Sequence, residues 1–276
     1  MLEMRDEGLF CPAGGFFIDP KRKIARAVVT HGHADHLRRG MGRLIATPET
    51  IAIADVRIGR GGYGEAAPLP YGERLKLGEA EIWLAPAGHC LGSAQVVIET
   101  SQGRAVVTGD CKRDADPSCA PFEVTKCDLF VTEATFAMPV WRFPPPAQEI
   151  GRLMRSLALF PNRTHVISAY SLGKAQRLMA ELRKAGRTDP IHVHRSMAGI
   201  CAVYERFGVS LGPLESIEKG DRSLAGAIVF APPSSADDAW SKRLVDPVYV
   251  TASGWNRGGR RAGGVELPLT ISDHSD

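Results

Sequence analysis

Residues 30–36 read Thr-His-Gly-His-Ala-Asp-His, so four metal-ligating side chains, His31, His33, Asp35 and His36, fall within six residues. The run follows Ala25–Thr30 (ARAVVT), an apolar stretch that reads as a short buried strand. In extended backbone His31 and His33 project to the same side, because side-chain direction alternates with a period of two. Asp35 and His36 fall where the chain turns toward a helix and can face a second point a few ångströms away. Such a pattern could hold two cations rather than one. A tag-like surface cluster of histidines is a poor alternative, since this run leaves an apolar strand and carries a specific aspartate.

Two further segments supply what that cluster lacks. Residues 85–93 (APAGHCLGS) put His89 in a glycine-flanked turn between two strands, and VTGD (residues 107–110) puts Asp110 at the end of another. Strand ends are where active sites of α/β proteins gather. Ligands drawn only from imidazole and carboxylate fit zinc or manganese.

Weaker signals have bland alternatives. His192 and His194 form a second HxH, read as part of a strand, and His165 reads as structural. The six cysteines (11, 90, 111, 119, 127 and 201) never fall in a CxxC spacing and read as reduced, mostly buried thiols. Cys90 and Cys111 adjoin expected ligands, but neighbouring strand side chains point oppositely. Ser171-Leu172-Gly173-Lys174 precedes a helix, which suits either a phosphate contact involving Lys174 or ordinary capping by Ser171. Arg257, Arg260 and Arg261 form a basic glycine-rich loop. With Arg38 and Arg39 they could neutralise nucleic-acid phosphates, or they could be a solvated charge run.

The elements that must position these residues follow from the 276-residue pattern. Hydrophobic residues make up 44%, charged residues 24%, and the formal charge is only +3, the balance of a globular protein with no demand for a nucleic-acid partner. The first 135 residues alternate short β-rich runs with turns, with a helix expected from Pro48 to Arg60. Pro144-Pro145-Pro146 forms a stiff break. After it, helices at Gln148–Leu159, Gly173–Ala185 and Met197–Phe207 alternate with strands at Thr164–Ser168, Ile191–His194 and Ala227–Ala231. That alternation predicts a parallel sheet between helices. A β-rich stretch resumes at Val248-Tyr249-Val250. One explanation is an inserted domain, residues 144–246, within a core formed by 1–143 and 247–276. The longest apolar stretch, Ala225–Pro232, is far short of the ~20 residues that span a bilayer. No signal-peptide pattern opens the chain, so the expectation is a cytoplasmic protein without membrane contact.

At this point a resemblance enters. THGHADH, PAGHCLGS and VVTGD resemble the successive metal motifs of the metallo-β-lactamase fold, an α/β architecture in which two αββα halves pack face to face around a binuclear site. The segment beginning after VTEATF (residues 131–136) resembles the added α/β domain of the β-CASP nucleases. GLFCPAGGFFIDP, DPSCAPFEVTKCDLFVTEATFAMP, ASGW and ISDHSD together resemble the bacterial ligase-associated DNA exonucleases, presumed repair enzymes encoded near an ATP-dependent DNA ligase and a helicase.

The resemblance implies that His31, His33 and His89 hold a first divalent metal, and Asp35 and His36 a second, with Asp110 bridging. Two zinc or manganese ions would activate a water for in-line attack on phosphorus. Asp35, Glu133 and His274 carry the catalytic roles, Glu133 keeping His274 protonated so that it can donate to the phosphate or the leaving oxygen. The family pattern continues past ISDH to a further histidine, which this sequence, ending at Asp276, does not contain; a weakened second site is the expectation. The implied function is DNA exonucleolysis in repair. RNA processing, small-ester hydrolysis, and non-catalytic binding of nucleic acid or a partner stand as alternatives.

Overall fold

The computed structural model describes residues 1–217, 224–235, 240–258 and 264–274, in which mixed α/β structure is organised around three sheets. The chain divides into two units, Met1–Thr135 and Phe136–His274.

In the first unit, β1 (Glu3–Arg5), β2 (Gly8–Cys11), β3 (Phe16–Ile18), β4 (Ile24–Val28), β5 (Met41–Ala46) and β6 (Tyr63–Pro68) form one sheet in sequence order. Its first three strands are an antiparallel meander, and β3 to β6 run parallel. The second sheet has the order β11-β10-β9-β8-β7, built from β7 (Leu75–Leu77), β8 (Ala80–Pro86), β9 (Ala94–Thr100), β10 (Gly103–Val107) and β11 (Leu129–Val131).

The two sheets face each other across one core, to which Phe16, Ile18, Val28 and Ile45 contribute from the first and Ile82, Leu84, Val96 and Ile98 from the second. The alternation is that of strands with one face inward: Ile82 and Leu84 enter this core while Trp83 turns outward to Val97 and Val106. Burying each such aliphatic side chain contributes ~1.5–3 kcal/mol. Helix α1 (Pro48–Arg57) covers the outer face of the first sheet against Ala27, Val29, Leu44 and Ala46. It starts with Pro48 in its first turn, capped by Thr47, whose hydroxyl oxygen accepts from the Thr50 amide. It is the one α-helix in residues 1–135, so the helix layer expected outside the second sheet is absent from this unit.

Strand direction sets where the site forms. β8 is antiparallel to β9, which is antiparallel to β10, and β10 is parallel to β11. β8, β10 and β11 therefore share a direction, and the loops carrying His89, Asp110 and Glu133 leave the same end of the sheet.

The second unit carries α2 (Pro146–Leu159), α3 (Lys174–Lys184) and α4 (Arg195–Arg206) around a six-stranded sheet. Its strands are β12 (His165–Ser168), β13 (Ile191–Val193), β14 (Leu214–Ser216), β15 (Ile228–Ala231), β16 (Val248–Ala252) and β17 (Leu267–Leu269), ordered β14-β13-β15-β12-β16-β17 and all parallel. Every residue of β15 is buried, as parallel strands covered on both faces require.

The division differs from the expected one. β16 pairs with β12 in parallel register and β17 extends from β16, so 248–269 belong to the same sheet as the strands of 144–246. The break falls after Thr135, and the proline run serves as a helix start: Pro145 occupies the N-cap and Pro146 the first turn of α2, where a missing N–H costs nothing. No helix among the described residues is long and apolar enough to cross a membrane.

Candidate metal centre

All of this geometry lies within the first unit. His33 Nδ1 is 3.0 Å from His31 Nε2 and 3.0 Å from His89 Nε2. One oxygen of Asp110, Oδ2, lies 3.6 Å from His31 Nε2 and 3.7 Å from His89 Nε2. A single N–H on His33 could serve only one of its two ring neighbours. Convergent imidazole lone pairs plus a carboxylate are matched far better by one shared cation, and the four donors all lie within 4.8 Å of one another.

The second Asp110 oxygen, Oδ1, faces His36 Nε2 at 3.4 Å, and Asp35 Oδ2 stands 3.7 Å from the same nitrogen. Asp110 thus presents one oxygen to each group of ligands. The two groups differ in exposure: His31 and His89 are buried, whereas the Asp35 side chain is 73% exposed.

Behind both groups stands Asp19, a residue the sequence analysis does not single out. Asp19 Oδ1 accepts from the Thr30 amide (2.8 Å), and Oδ2 accepts from Thr30 Oγ1 (2.6 Å) and from His36 Nδ1 (2.7 Å). The Thr30 hydroxyl, its proton given to Asp19, accepts from His31 Nδ1 at 3.1 Å. One carboxylate therefore sets the tautomers of two histidines, leaving each Nε2 lone pair aimed at the ligand groups. A signal was there: the aspartate directly follows β3, the strand beside β4, from which the metal loop leaves. Burial opposes protonation of His36, but the Asp110 and Asp19 carboxylates outweigh it and push its pKa up to about 10. A site that holds a proton this firmly offers the same negative field to a cation.

The loops are locked by close approach. Gly109 has φ +57°, and a Cβ there would lie 2.5 Å from Thr30 Oγ1, so only glycine lets the Asp110 loop sit against the histidine loop. Ser93 Oγ accepts from the amides of His89 (3.0 Å) and Cys90 (3.1 Å), closing the His89 turn. Lys112 is buried against Asp116, which also accepts from Ser118, anchoring the chain beyond Asp110. Glu133 Oε1 accepts from the Cys111 amide at 2.7 Å, and its carboxylate comes within 4.8 Å of that of Asp110.

The remaining candidates divide. His274 belongs to the second unit, where its amide donates to Ser272 Oγ at 3.0 Å. Lys174 does not present its charge to solvent: it is buried, donating to the Ile271 carbonyl (2.7 Å) and pairing with Asp273 (3.0 Å). Arg177, one turn later, reaches the Ser272 carbonyl (2.5 Å) and Asp273 (3.3 Å). The phosphate contact expected of Lys174 gives way to an internal ion pair that holds the ISDH segment. Gln176 rather than Ser171 caps α3, accepting from the Gly173 amide at 2.9 Å. Arg38 and Arg257 are exposed, whereas Arg260 and Arg261 lie outside the described residues. His192 sits in β13 and His194 caps α4, in keeping with a strand rather than a ligand pair. Cys90 and Cys111 are buried thiols.

No protein-family model matches the chain. It is 28% identical over 278 residues to a probable DNA ligase of Opitutus terrae, spanning 98% of this chain and 26% of that protein. It is 26% identical over 226 residues to a ribonuclease of Thermus thermophilus, spanning 69% of this chain and 51% of that one. The chain thus spans a quarter to half the length of these curated relatives. In fold it is similar to a crystal structure of a protein of unknown function from Enterococcus faecalis, with a TM-score of 0.60 at 15% identity, covering 93% of this chain and 71% of that one.

Proposed function

We propose that this chain is a metal-dependent nuclease that hydrolyses phosphodiester bonds of DNA from an end, in repair alongside a DNA ligase. In this reading the first unit is a metallo-β-lactamase-like core and the second an added domain of the β-CASP kind. The observation that carries it is the split of Asp110, one oxygen toward the His31, His33 and His89 nitrogens and the other toward His36. The ligase-named and ribonuclease-named relatives support it.

The donor set fits two divalent ions, zinc or manganese, which would ionise a water near neutral pH and offset charge on the phosphate. His31, His33, His89 and Asp110 would hold one; His36, Asp35 and Asp110 the other. Two divalent ions would bring four positive charges against the carboxylates of Asp19, Asp35, Asp110 and Glu133, so the loaded centre would no longer repel an anionic diester as the bare carboxylates do. Asp19 and Thr30 keep the imidazoles in the ligating tautomer. His274 is assigned proton donation to the leaving oxygen, with Glu133 maintaining its charge.

Matched DNA and RNA oligonucleotides, incubated with the protein and Mn2+ or Zn2+, test the reading. Release of nucleotides from DNA, abolished by His31→Ala, is the expected result. Cleavage of RNA alone would favour a ribonuclease, the reading that the Thermus thermophilus relative supports. Cleavage of neither overturns the assignment.

A further inference from the structure

Four aromatic rings gather within the second unit. Phe136 is the hub, 3% exposed, with ring centroids of Trp255, Phe143 and Trp141 at 4.8, 5.0 and 5.2 Å. Trp141 and Trp255 also meet edge to face at 5.2 Å. The cluster buries Phe136 but leaves Trp255 52% exposed, a large flat apolar surface held against water.

Trp255 is not on a loose loop. The Asn256 side-chain amide donates to the carbonyls of Thr251 (3.1 Å) and Leu269 (2.8 Å), and the Trp255 amide donates to Ser253 Oγ (3.2 Å). Gly254 lies so close to Phe136 that a Cβ would approach its ring to 2.7 Å. The indole is therefore held in place before any ligand arrives, which lowers the ordering cost of binding.

The charges on the segments that carry the cluster have one sign. Residues 136–145 (FAMPVWRFPP) and 253–258 (SGWNRG) contribute two exposed arginines, Arg142 and Arg257, and no aspartate or glutamate. Arg257 Nε donates to the Val140 carbonyl at 2.9 Å, tying the two segments together while its guanidinium stays exposed. The ring of His274, in the ISDH segment, is 5.9 Å from Phe136 as well, so the histidine and Trp255 share a neighbour.

We infer that Trp255 is a stacking platform for one unpaired nucleobase of a single-stranded nucleic acid, with Arg142 and Arg257 meeting the neighbouring phosphates. An exposed indole face on segments that carry guanidinium groups matches a base flanked by phosphates, and every base offers a π-face, so such binding tolerates any sequence. Paired bases inside a duplex have no free face to offer. The inference rests on the nucleic-acid reading above and narrows it to strands with unpaired ends.

The test is fluorescence anisotropy of the full chain with labelled phosphorothioate strands, comparing oligo(dT) with an abasic strand of equal length and charge. Wild type should bind oligo(dT) more tightly than the abasic strand. Trp255→Ala should weaken oligo(dT) binding about fivefold or more and leave abasic binding unchanged, while Trp255→Phe, which keeps a ring, stays near wild type. Equal wild-type affinity for the two strands, or unchanged oligo(dT) affinity in Trp255→Ala, overturns the platform. Hydrolysis of bis-p-nitrophenyl phosphate by wild type with Mn2+, which needs no base, is read separately. Its absence beside intact stacking overturns the nuclease reading alone, and its presence without stacking overturns the platform alone.

Discussion

Replacing Asp19 by asparagine keeps the shape of the side chain and removes a charge from behind both ligand groups. Its Oδ1 bond to the Thr30 amide survives in the amide oxygen of asparagine. At the Oδ2 position an NH2 would face two donors, Thr30 Oγ1 and His36 Nδ1, which now sit 2.6 and 2.7 Å from the carboxylate. Hydrogen bonds to a charged group are worth ~1.5–3 kcal/mol each, and with Asp19 only 15% exposed, water recovers part of that loss at most. For a metal site, losing an outer partner of this kind costs ~10–100-fold in affinity. The loss should fall mainly on the group containing His36, which touches Asp19 directly; His31 feels Asp19 only through the Thr30 hydroxyl. Calorimetric titration of metal-free wild type and Asp19→Asn with Zn2+ should therefore show two affinities in wild type, with the weaker one reduced at least tenfold in the variant. Equal reduction of both, or of neither, would refute the argument that this carboxylate orients His36.

Three further outcomes follow from the same contacts. Gly109→Ala should cost ~2 kcal/mol or more in urea denaturation, because left-handed strain of ~1–3 kcal/mol adds to a collision 2.5 Å from Thr30 Oγ1. Asp273→Ala leaves Lys174 and Arg177 buried without their carboxylate and should destabilise by ~3–5 kcal/mol, with the Lys174→Met and Asp273→Ala double variant less affected than the sum of the singles. Burial lowers the pKa of His165, against a smaller opposing contribution from its hydrogen bond to the Arg163 carbonyl. A folded value below the unfolded one means that its share of stability is full above ~6.5 and is lost as pH falls through the folded value. Urea midpoints of wild type should drop between pH 7.5 and 5 more than those of His165→Gln.

Much of the fold was legible because most strands are short apolar runs whose ends are marked by glycine, proline or aspartate. His165–Ser168, Ile191–Val193 and Ile228–Ala231 fall within a residue of their expected limits, and the alternating second half forms the all-parallel sheet its pattern requires. What escaped was structure without such a signature. Tyr63–Pro68 is half exposed and carries glycine and glutamate; it is a strand because Met41–Ala46 offers it an edge. The place of Val248–Ala252 is not legible because a strand's sequence says that it pairs and not with which partner: its neighbour is His165–Ser168, more than eighty residues earlier.

The ligands themselves were readable for a different reason. Their chemistry is intrinsic to imidazole and carboxylate, and their spacing within one loop survives any packing. The groups that hold them have no chemistry of their own to advertise. Asp19 acts through bonds that span 11 and 17 residues, and Lys174 is defined by a carbonyl 97 residues away. In sequence, Ser-Leu-Gly-Lys before a helix looks like a phosphate cradle; in the fold, the ammonium has exchanged water for the Ile271 carbonyl and Asp273. Desolvation decides between those readings, since a buried ammonium must find its partners inside the protein whereas an exposed one is available to a ligand. The same criterion separates Arg257 from Arg177: identical side chains, one exposed beside an aromatic cluster and one sealed against Asp273. A basic residue becomes a candidate for nucleic acid only after the fold has failed to bury it.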